Sequence, residues 1–238
     1  MKSTKSRKLR RRLISITTII LVSLLAYVLG WSQFFRVTRI SIDGLQSKAT
    51  ELISSQIKRE SLIEIGEPLA RVDSRVVKRA LLKNEWFENV RVNRHWLSGE
   101  VHLFVVEKSA IARITGDTQF KYLTDQGHIA VFPEALAVTV PELSGDYQNK
   151  ESALRAKELL GELAGALDSQ LTIKSISIES PTSFSTIAKV GDQELSIRWG
   201  SVSEIPLKIK VLQGLLALPE NSHLQLVDLA TPLSPIVK

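Results

Sequence analysis

The hydrophobic pattern of this chain changes character once, near residue 35. Before that point, Leu13 to Gly30 (LISITTIILVSLLAYVLG) runs without a single charge, and Trp31 to Phe35 extends the apolar character. After it, apolar residues recur at short strand and helix periods. A run of this length predicts one long helix over 13–35, because about 20 residues at 1.5 Å each cross a hydrocarbon core of about 30 Å. Ser15, Thr17, Thr18 and Ser23 fit such a helix, since a hydroxyl can donate to a carbonyl one turn back. Trp31, Phe34 and Phe35 fall where an interfacial aromatic belt lies.

The remaining pattern predicts two units. In the first, Val37-Thr38-Arg39-Ile40-Ser41-Ile42 alternates as a half-buried strand that ends at Asp43-Gly44. Ala49, Leu52, Ile53 and Ile57 have helical spacing. Glu64 to Pro68 reads as a loop. Asp73 or Ser74 can cap a second helix whose apolar face is Val76, Val77, Ala80 and Leu81. Val90 and Val92 alternate with polar residues, Trp96 to Gly99 makes a turn, and Val101 to Val106 is an apolar strand. The order is strand, helix, helix, strand, strand. Trp86, Phe87 and Trp96 are expected to pack helix against sheet.

In the second unit, strands are predicted at Ile111–Thr115, Gln119–Leu123 and Ile129–Phe132, with a turn at Asp125-Gln126-Gly127. Pro141 to Gly145 reads as a connecting loop. Lys150 to Leu167 reads as a helix with Leu154, Leu160, Leu163 and Leu167 near one face. Strands follow at Leu171–Glu179, Phe184–Val190 and Glu194–Trp199, the last two joined at Gly191-Asp192. Ser203 can cap a helix carrying Ile205, Ile209, Leu212 and Leu216, with Pro206 in its first turn. Leu224, Leu226 and Ile236-Val237 close the chain as strands. The fold class is α+β, with a mostly antiparallel sheet in the second unit.

Charge adds a direction. Seven of the first twelve residues are basic (Lys2, Lys5, Arg7, Lys8, Arg10, Arg11, Arg12) and none is acidic. The chain has 31 basic and 25 acidic residues; removing those seven leaves 24 against 25, so the net +6 belongs to the tail. It is therefore no nucleic-acid footprint, which needs a basic face on a folded domain. A basic flank keeps the tail cytoplasmic and sends the rest across the membrane. Anionic lipid attracts such a cluster at about 1 kcal/mol per residue. Leu29-Gly30-Trp31-Ser32 offers no small-x-small cleavage site and the run exceeds a signal h-region, so a retained anchor is expected. The absence of cysteine fits an extracytoplasmic domain built without disulfides.

Motifs for chemistry are missing. His95, His102, His128 and His223 are scattered, with no metal-type pair on a helix, and there is no nucleophile elbow, zinc-protease helix or phosphate-binding glycine loop. Glu60, Glu64 and Glu67 fall around a loop as solvated carboxylates. No catalytic residue, cofactor, metal, nucleic acid or small-molecule substrate is expected, and the chain reads as a scaffold rather than an enzyme.

Several stretches then resemble a known pattern. Val37-x-x-Ile40-x-Ile42-x-Gly44 opens the first unit, and Trp86-Phe87-Glu88-Asn89-Val90 precedes its second strand. Val105-Val106-Glu107-Lys108-x-Ala110-x-Ala112 spans the junction. Leu123-Thr124-Asp125-x-Gly127 with Phe132, Pro141-Glu142-Leu143-x-Gly145, and Leu226-Val227-Asp228-Leu229 follow in order. The chain thereby resembles the FtsQ/DivIB family of bacterial cell-division proteins, whose first extracytoplasmic unit is a POTRA domain.

The resemblance implies a basic tail over 1–12, a transmembrane helix over 13–35, a POTRA domain over 36–108 and a distal β-rich domain over 109–238. It implies an essential scaffold in the bacterial inner membrane, single-pass, with the C-terminal domain periplasmic at the division septum. It would link early and late division proteins by binding FtsB-like and FtsL-like coiled-coil partners, among other divisome proteins. The contact would be strand addition along a C-terminal edge at Leu226, Val227, Asp228, Leu229, Thr231, Ser234, Ile236 and Val237. Two departures stand out. The family's Asp-Leu-Arg-Tyr reads Asp228-Leu229-Ala230-Thr231, and Pro232 and Pro235 interrupt the final segment. Another POTRA-bearing envelope assembly or secretion factor, and an anchored envelope enzyme, are the alternatives.

Overall fold

The structure, a computed structural model, describes residues 3–31, 35–45, 50–116, 119–166 and 171–238. The chain divides into two compact units, Met1–Glu107 and Lys108–Lys238.

Helix α1, Ser3–Trp31, is one continuous helix of 29 residues, so the basic tail and the apolar run share an element. Thr18 Oγ1 donates to Ile14 O at 2.9 Å, the back-bond expected of a hydroxyl in an apolar helix. From Leu13 to Tyr27 every side chain is exposed, the large apolar ones at 55–64%. Among the described residues no helix is long and apolar enough to cross a membrane. The described apolar side chains of α1 end at Tyr27 and rise about 22 Å. The Trp31 side chain, Phe34 and most of the basic side chains lie outside the described residues.

The rest of this unit, among the described residues, is a three-stranded sheet with two α-helices. Strands β1 (Arg39–Asp43), β2 (Phe87–His95) and β3 (Glu100–Glu107) lie in the order β1-β3-β2. β1 runs parallel to β3 and β2 antiparallel to it. Alternate residues of β3 (Val101, Leu103, Val105) are fully buried, because successive strand side chains point to opposite faces. Helix α2 (Thr50–Glu60) contributes Ile53 and Ile57 to the same core, and α3 (Ser74–Leu81) contributes Val77 and Leu81. Asp73 caps α3, its carboxylate accepting from Arg75 N–H at 2.8 Å. Trp86 and Phe87 are both 3% exposed with ring centroids 3.9 Å apart, so they pack the core. The other sheet face is half open. There Arg91 lies 4.6 Å over the Phe104 ring, and His102 Nε2 meets Asp43 Oδ2 at 2.5 Å.

Among the described residues the second unit is a nine-stranded sheet with two α-helices. Its strands are β4 (Ala110–Ile114), β5 (Lys121–Thr124), β6 (Ile129–Val131), β7 (Glu142–Gly145), β8 (Leu171–Ser180), β9 (Ser183–Val190), β10 (Gln193–Gly200), β11 (Leu226–Asp228) and β12 (Ile236–Val237). They lie in the order β12-β11-β10-β9-β8-β7-β4-β5-β6. The β4–β7, β7–β8 and β10–β11 pairs are parallel, and the other five are antiparallel. Helices α4 (Lys150–Ala166) and α5 (Ile205–Leu216) close one core with Leu143, Ile176, Ile178, Phe184, Ile197 and Trp199.

Three local expectations are corrected. The stretch expected as a loop, Pro141 to Gly145, supplies strand β7, the bridge between β4 and β8. Pro141 keeps its place by accepting Arg113 N–H at 2.8 Å. Gly145 has φ +89, and a Cβ there would lie 2.0 Å from Ile178 O, so turn-like composition here reflects close strand approach. In α4 the buried stripe includes Ala153 and Ala156, whereas Leu154 is 42% exposed and Leu167 lies outside the described residues. Small side chains let the helix sit close to the sheet. Finally, Glu204, not Ser203, precedes α5, with φ 55 and no side-chain cap; Ser203 Oγ bonds Ser201 Oγ instead at 2.6 Å.

Candidate partner-binding edge

The C-terminal residues form one end of the large sheet. β11 is held on both sides, parallel to β10 (Ser196↔Leu226, Ile197↔Val227, Arg198↔Asp228) and antiparallel to β12 (Val227↔Val237, Asp228↔Ile236). Among the described residues β12 has a neighbour on one side only.

The predicted residues therefore separate into two groups. Val227 and Leu229 are completely buried core side chains, and Leu229 N–H donates to Arg198 O at 2.7 Å. Leu226 and Asp228 are partly covered. Asp228 is occupied locally: its carboxylate accepts Ala230 N–H at 2.9 Å and lies 3.9 Å from the Arg198 guanidinium. These four hold the edge in place. Thr231 and Ser234 are exposed and close a turn, Ser234 N–H donating to Thr231 O at 3.0 Å. Ile236 (58% exposed) and Val237 (38%) form the open strand. Leu233, at the turn's tip, is 87% exposed and extends the apolar surface; the sequence reading did not include it.

The two prolines are accommodated rather than disruptive. Pro232 is buried at the second position of the turn, where its fixed φ suits a type I or II geometry. Pro235 stands immediately before β12. Neither interrupts the ladder between β11 and β12. Leu226 and Lys238 exchange two bonds, Lys238 N–H to Leu226 O at 3.0 Å and Leu226 N–H to Lys238 O at 3.1 Å. In an antiparallel ladder bonded and non-bonded pairs alternate. The next pair, Val227/Val237, is thus non-bonded, and Val237's own N–H and C=O face away from β11. Pro235 offers a carbonyl on that same side but no donor.

A buried lysine supports this end of the sheet from behind. Lys208 of α5 is 1% exposed, yet its ammonium donates to Trp199 O at 2.7 Å and Ser201 O at 2.8 Å. Those carbonyls lie where β10 ends at Gly200 (φ +63), a register irregularity that packs against Ala230. Burial pushes the Lys208 pKa down, and the nearby Glu204 carboxylate opposes that shift. Its spacing among Ile205, Ile209 and Leu212 hides it from a helical-face reading. The signal is the bend Ser201–Ser203, which leaves strand-end carbonyls needing a donor. Trp199 Nε1 is satisfied by Thr186 Oγ1 at 2.9 Å.

Elsewhere, a groove of about 580 Å³ lies among Ile111, Pro141, Leu160, Ala164, Leu171 and Ile173. Its lining is aliphatic apart from Asp125, Lys157 and Thr172, so it holds no constellation for acid–base work. Among the described residues no three metal-ligating side chains converge.

Comparison with known proteins joins these observations. Residues 35–108, which contain the strand-helix-helix-strand-strand unit, match the POTRA domain of FtsQ type. The first folded unit is a POTRA domain of the FtsQ type. The chain is 26% identical over 186 residues to cell division protein FtsQ of Corynebacterium glutamicum, covering 77% of this chain and 79% of that one. It is also 26% identical over 239 residues to cell division protein FtsQ of Streptomyces bingchenggensis, covering 96% and 86%. The similarity extends past the POTRA domain, so the chain shares more with those relatives than its first unit.

Proposed function

We propose that this chain is a non-catalytic assembly scaffold of the bacterial division machinery, and that β12 is its docking edge. Its partners are FtsB-like and FtsL-like bitopic coiled-coil proteins, which contribute a strand alongside β12. The observation that carries this reading is the one-sided pairing of β12, with Ile236 and Leu233 exposed beside it. An unpaired edge supplies main-chain donors and acceptors, and neighbouring apolar side chains supply selectivity.

The remaining parts serve that edge. α1, with exposed aliphatic side chains and a basic start, anchors the chain in the inner membrane with its N-terminus cytoplasmic. The two folded units, POTRA domain (36–108) and distal domain (109–238), then lie outside, at the division septum. Photocrosslinking in dividing cells tests the proposal, with a photoreactive residue at Leu233 or Ile236 of the full chain. Crosslinks to FtsB-like or FtsL-like proteins from these positions, and none from Ile187 in the middle of the sheet, are expected. Crosslinks from Ile187 alone, or an outer-membrane barrel as the captured protein, would overturn it.

A further inference from the structure

Resting on the reading that α1 anchors the chain, we propose that the tip of the β2–β3 hairpin, Trp96-Leu97, is a second membrane contact that dips into the lipid interface beside the anchor. The argument begins where the apolar run stops. Phe35 is its last residue, and the Phe35 ring meets Trp96 edge-on at 6.3 Å. Three residues further on, Thr38 N–H donates to Gly99 O at 2.7 Å and Thr38 Oγ1 donates to Ser98 O at 2.9 Å. The hairpin tip is thus tied to the segment that follows the anchor. It has little freedom to swing away. Gly99 has φ +70, and a Cβ there would lie 2.6 Å from Arg36 O, so the two backbones touch.

Leu97 is 99% exposed, more than any other large apolar side chain among the described residues. A single exposed leucine is ordinary on a protein surface. Its neighbours are what give it meaning. Trp96 is half-buried, and the Arg94 guanidinium lies 5.4 Å over its ring while donating to Val72 O at 2.9 Å. Arg36 is exposed next to Phe35. An aliphatic tip, an aromatic collar and cations behind it follow the polarity gradient of a bilayer interface, where Trp rings sit at headgroup depth and Arg reaches phosphate.

Area decides between lipid and protein as the occupant. A stable protein partner needs about 800 Å² of surface on each side. One leucine on a tight turn offers a small fraction of that. A lipid surface, in contrast, accepts a single side chain, and α1 already holds the tip near it. Two attachment points would fix how the POTRA domain stands on the membrane, which a single attachment point cannot do.

The chain has no cysteine, so single-cysteine variants label cleanly. The full chain is reconstituted in nanodiscs of phosphatidylethanolamine and phosphatidylglycerol, with a nitroxide at Leu97→Cys, Leu82→Cys or Ile19→Cys. Leu82 precedes β2 at the opposite end of its strand from the hairpin and is 37% exposed. The ratio of collision with oxygen to collision with a water-soluble nickel complex reports depth. A ratio at 97 several-fold above that at 82 is expected. Equal ratios at 97 and 82 would overturn the proposal, as would shielding of 97 from both reagents, which means protein covers it. The label at 19 separates the two readings. Lipid at 19 with water at 97 removes only the hairpin contact, and water at 19 removes the anchor as well.

Discussion

Replacing Val237 with proline tests the proposed docking edge with little disturbance to the fold. Val237 pairs with Val227 in a non-bonded position, so its N–H points to the open side of β12. Val237→Pro leaves the two Leu226–Lys238 bonds in place. The expected loss of folding stability is below about 1 kcal/mol, or no more than about 4 °C in Tm for a domain of this size. Binding should suffer more. The substitution deletes the one outward donor of the strand, worth about 0.5–1.5 kcal/mol, and puts a ring in the path of an incoming strand. A combined loss above about 1.4 kcal/mol is at least tenfold in Kd. Ile236→Pro is the paired control. Ile236 lies opposite Asp228 in a bonded position, so its N–H faces β11, and that variant should lower both binding and Tm. Biolayer interferometry of the full chain against immobilised FtsB-like and FtsL-like partners, beside thermal melts, reads both quantities. A Val237→Pro protein that binds within twofold of the parent refutes strand addition at β12.

Other expectations follow from the interior. Lys208→Met keeps the aliphatic stem but leaves Trp199 O and Ser201 O without their donor; after relief of charge burial we expect a net loss of about 2 kcal/mol, and an unchanged urea midpoint would contradict it. Because burial lowers the Lys208 pKa from its usual 10.5, the folded chain binds fewer protons than the unfolded one between the lowered value and 10.5. Stability contributed by this group therefore rises with pH across that interval; the parent should gain on Lys208→Met as buffer is raised toward pH 10.5, and a parallel pair of pH–stability curves would count against the assignment. Gly145→Ala places a methyl 2.0 Å from Ile178 O at positive φ, so β7 and β8 must separate; we expect a loss of more than about 2 kcal/mol by chemical denaturation, and a stability equal to the parent would show that this approach relaxes freely.

The division of the chain into strands and helices was legible wherever one period dominated a stretch. Asp73 before the Val77 and Leu81 stripe marked α3, and the Gly191-Asp192 turn marked the β9–β10 hairpin. β7 was not legible, because a four-residue strand between two parallel neighbours shows only Leu143 as a buried position. Its glycine and proline, which read as loop chemistry, answer instead to the closeness of adjoining backbones. Lys208 was hidden for the opposite reason: a charged residue on an apolar stripe looks like an outward position until a bent strand end presents carbonyls to it. The C-terminal end of the sheet was legible only in part. The sequence located the segment, but which residues hold the sheet and which stay open depends on β11 lying between β10 and β12, a long-range pairing that no local pattern carries. The exposure of Leu233 was not legible, because turn residues are read for geometry rather than for what they expose.

The shortness of β12 has a thermodynamic meaning of its own. Two residues give an incoming strand so few bonds that a freely diffusing partner would bind weakly. If the proposed anchor holds the chain in the same bilayer as its partner, the raised effective concentration would let a weak site suffice. Specificity would then come from co-residence in the same membrane patch as much as from the contact. A stray soluble strand would find too small a foothold to stay.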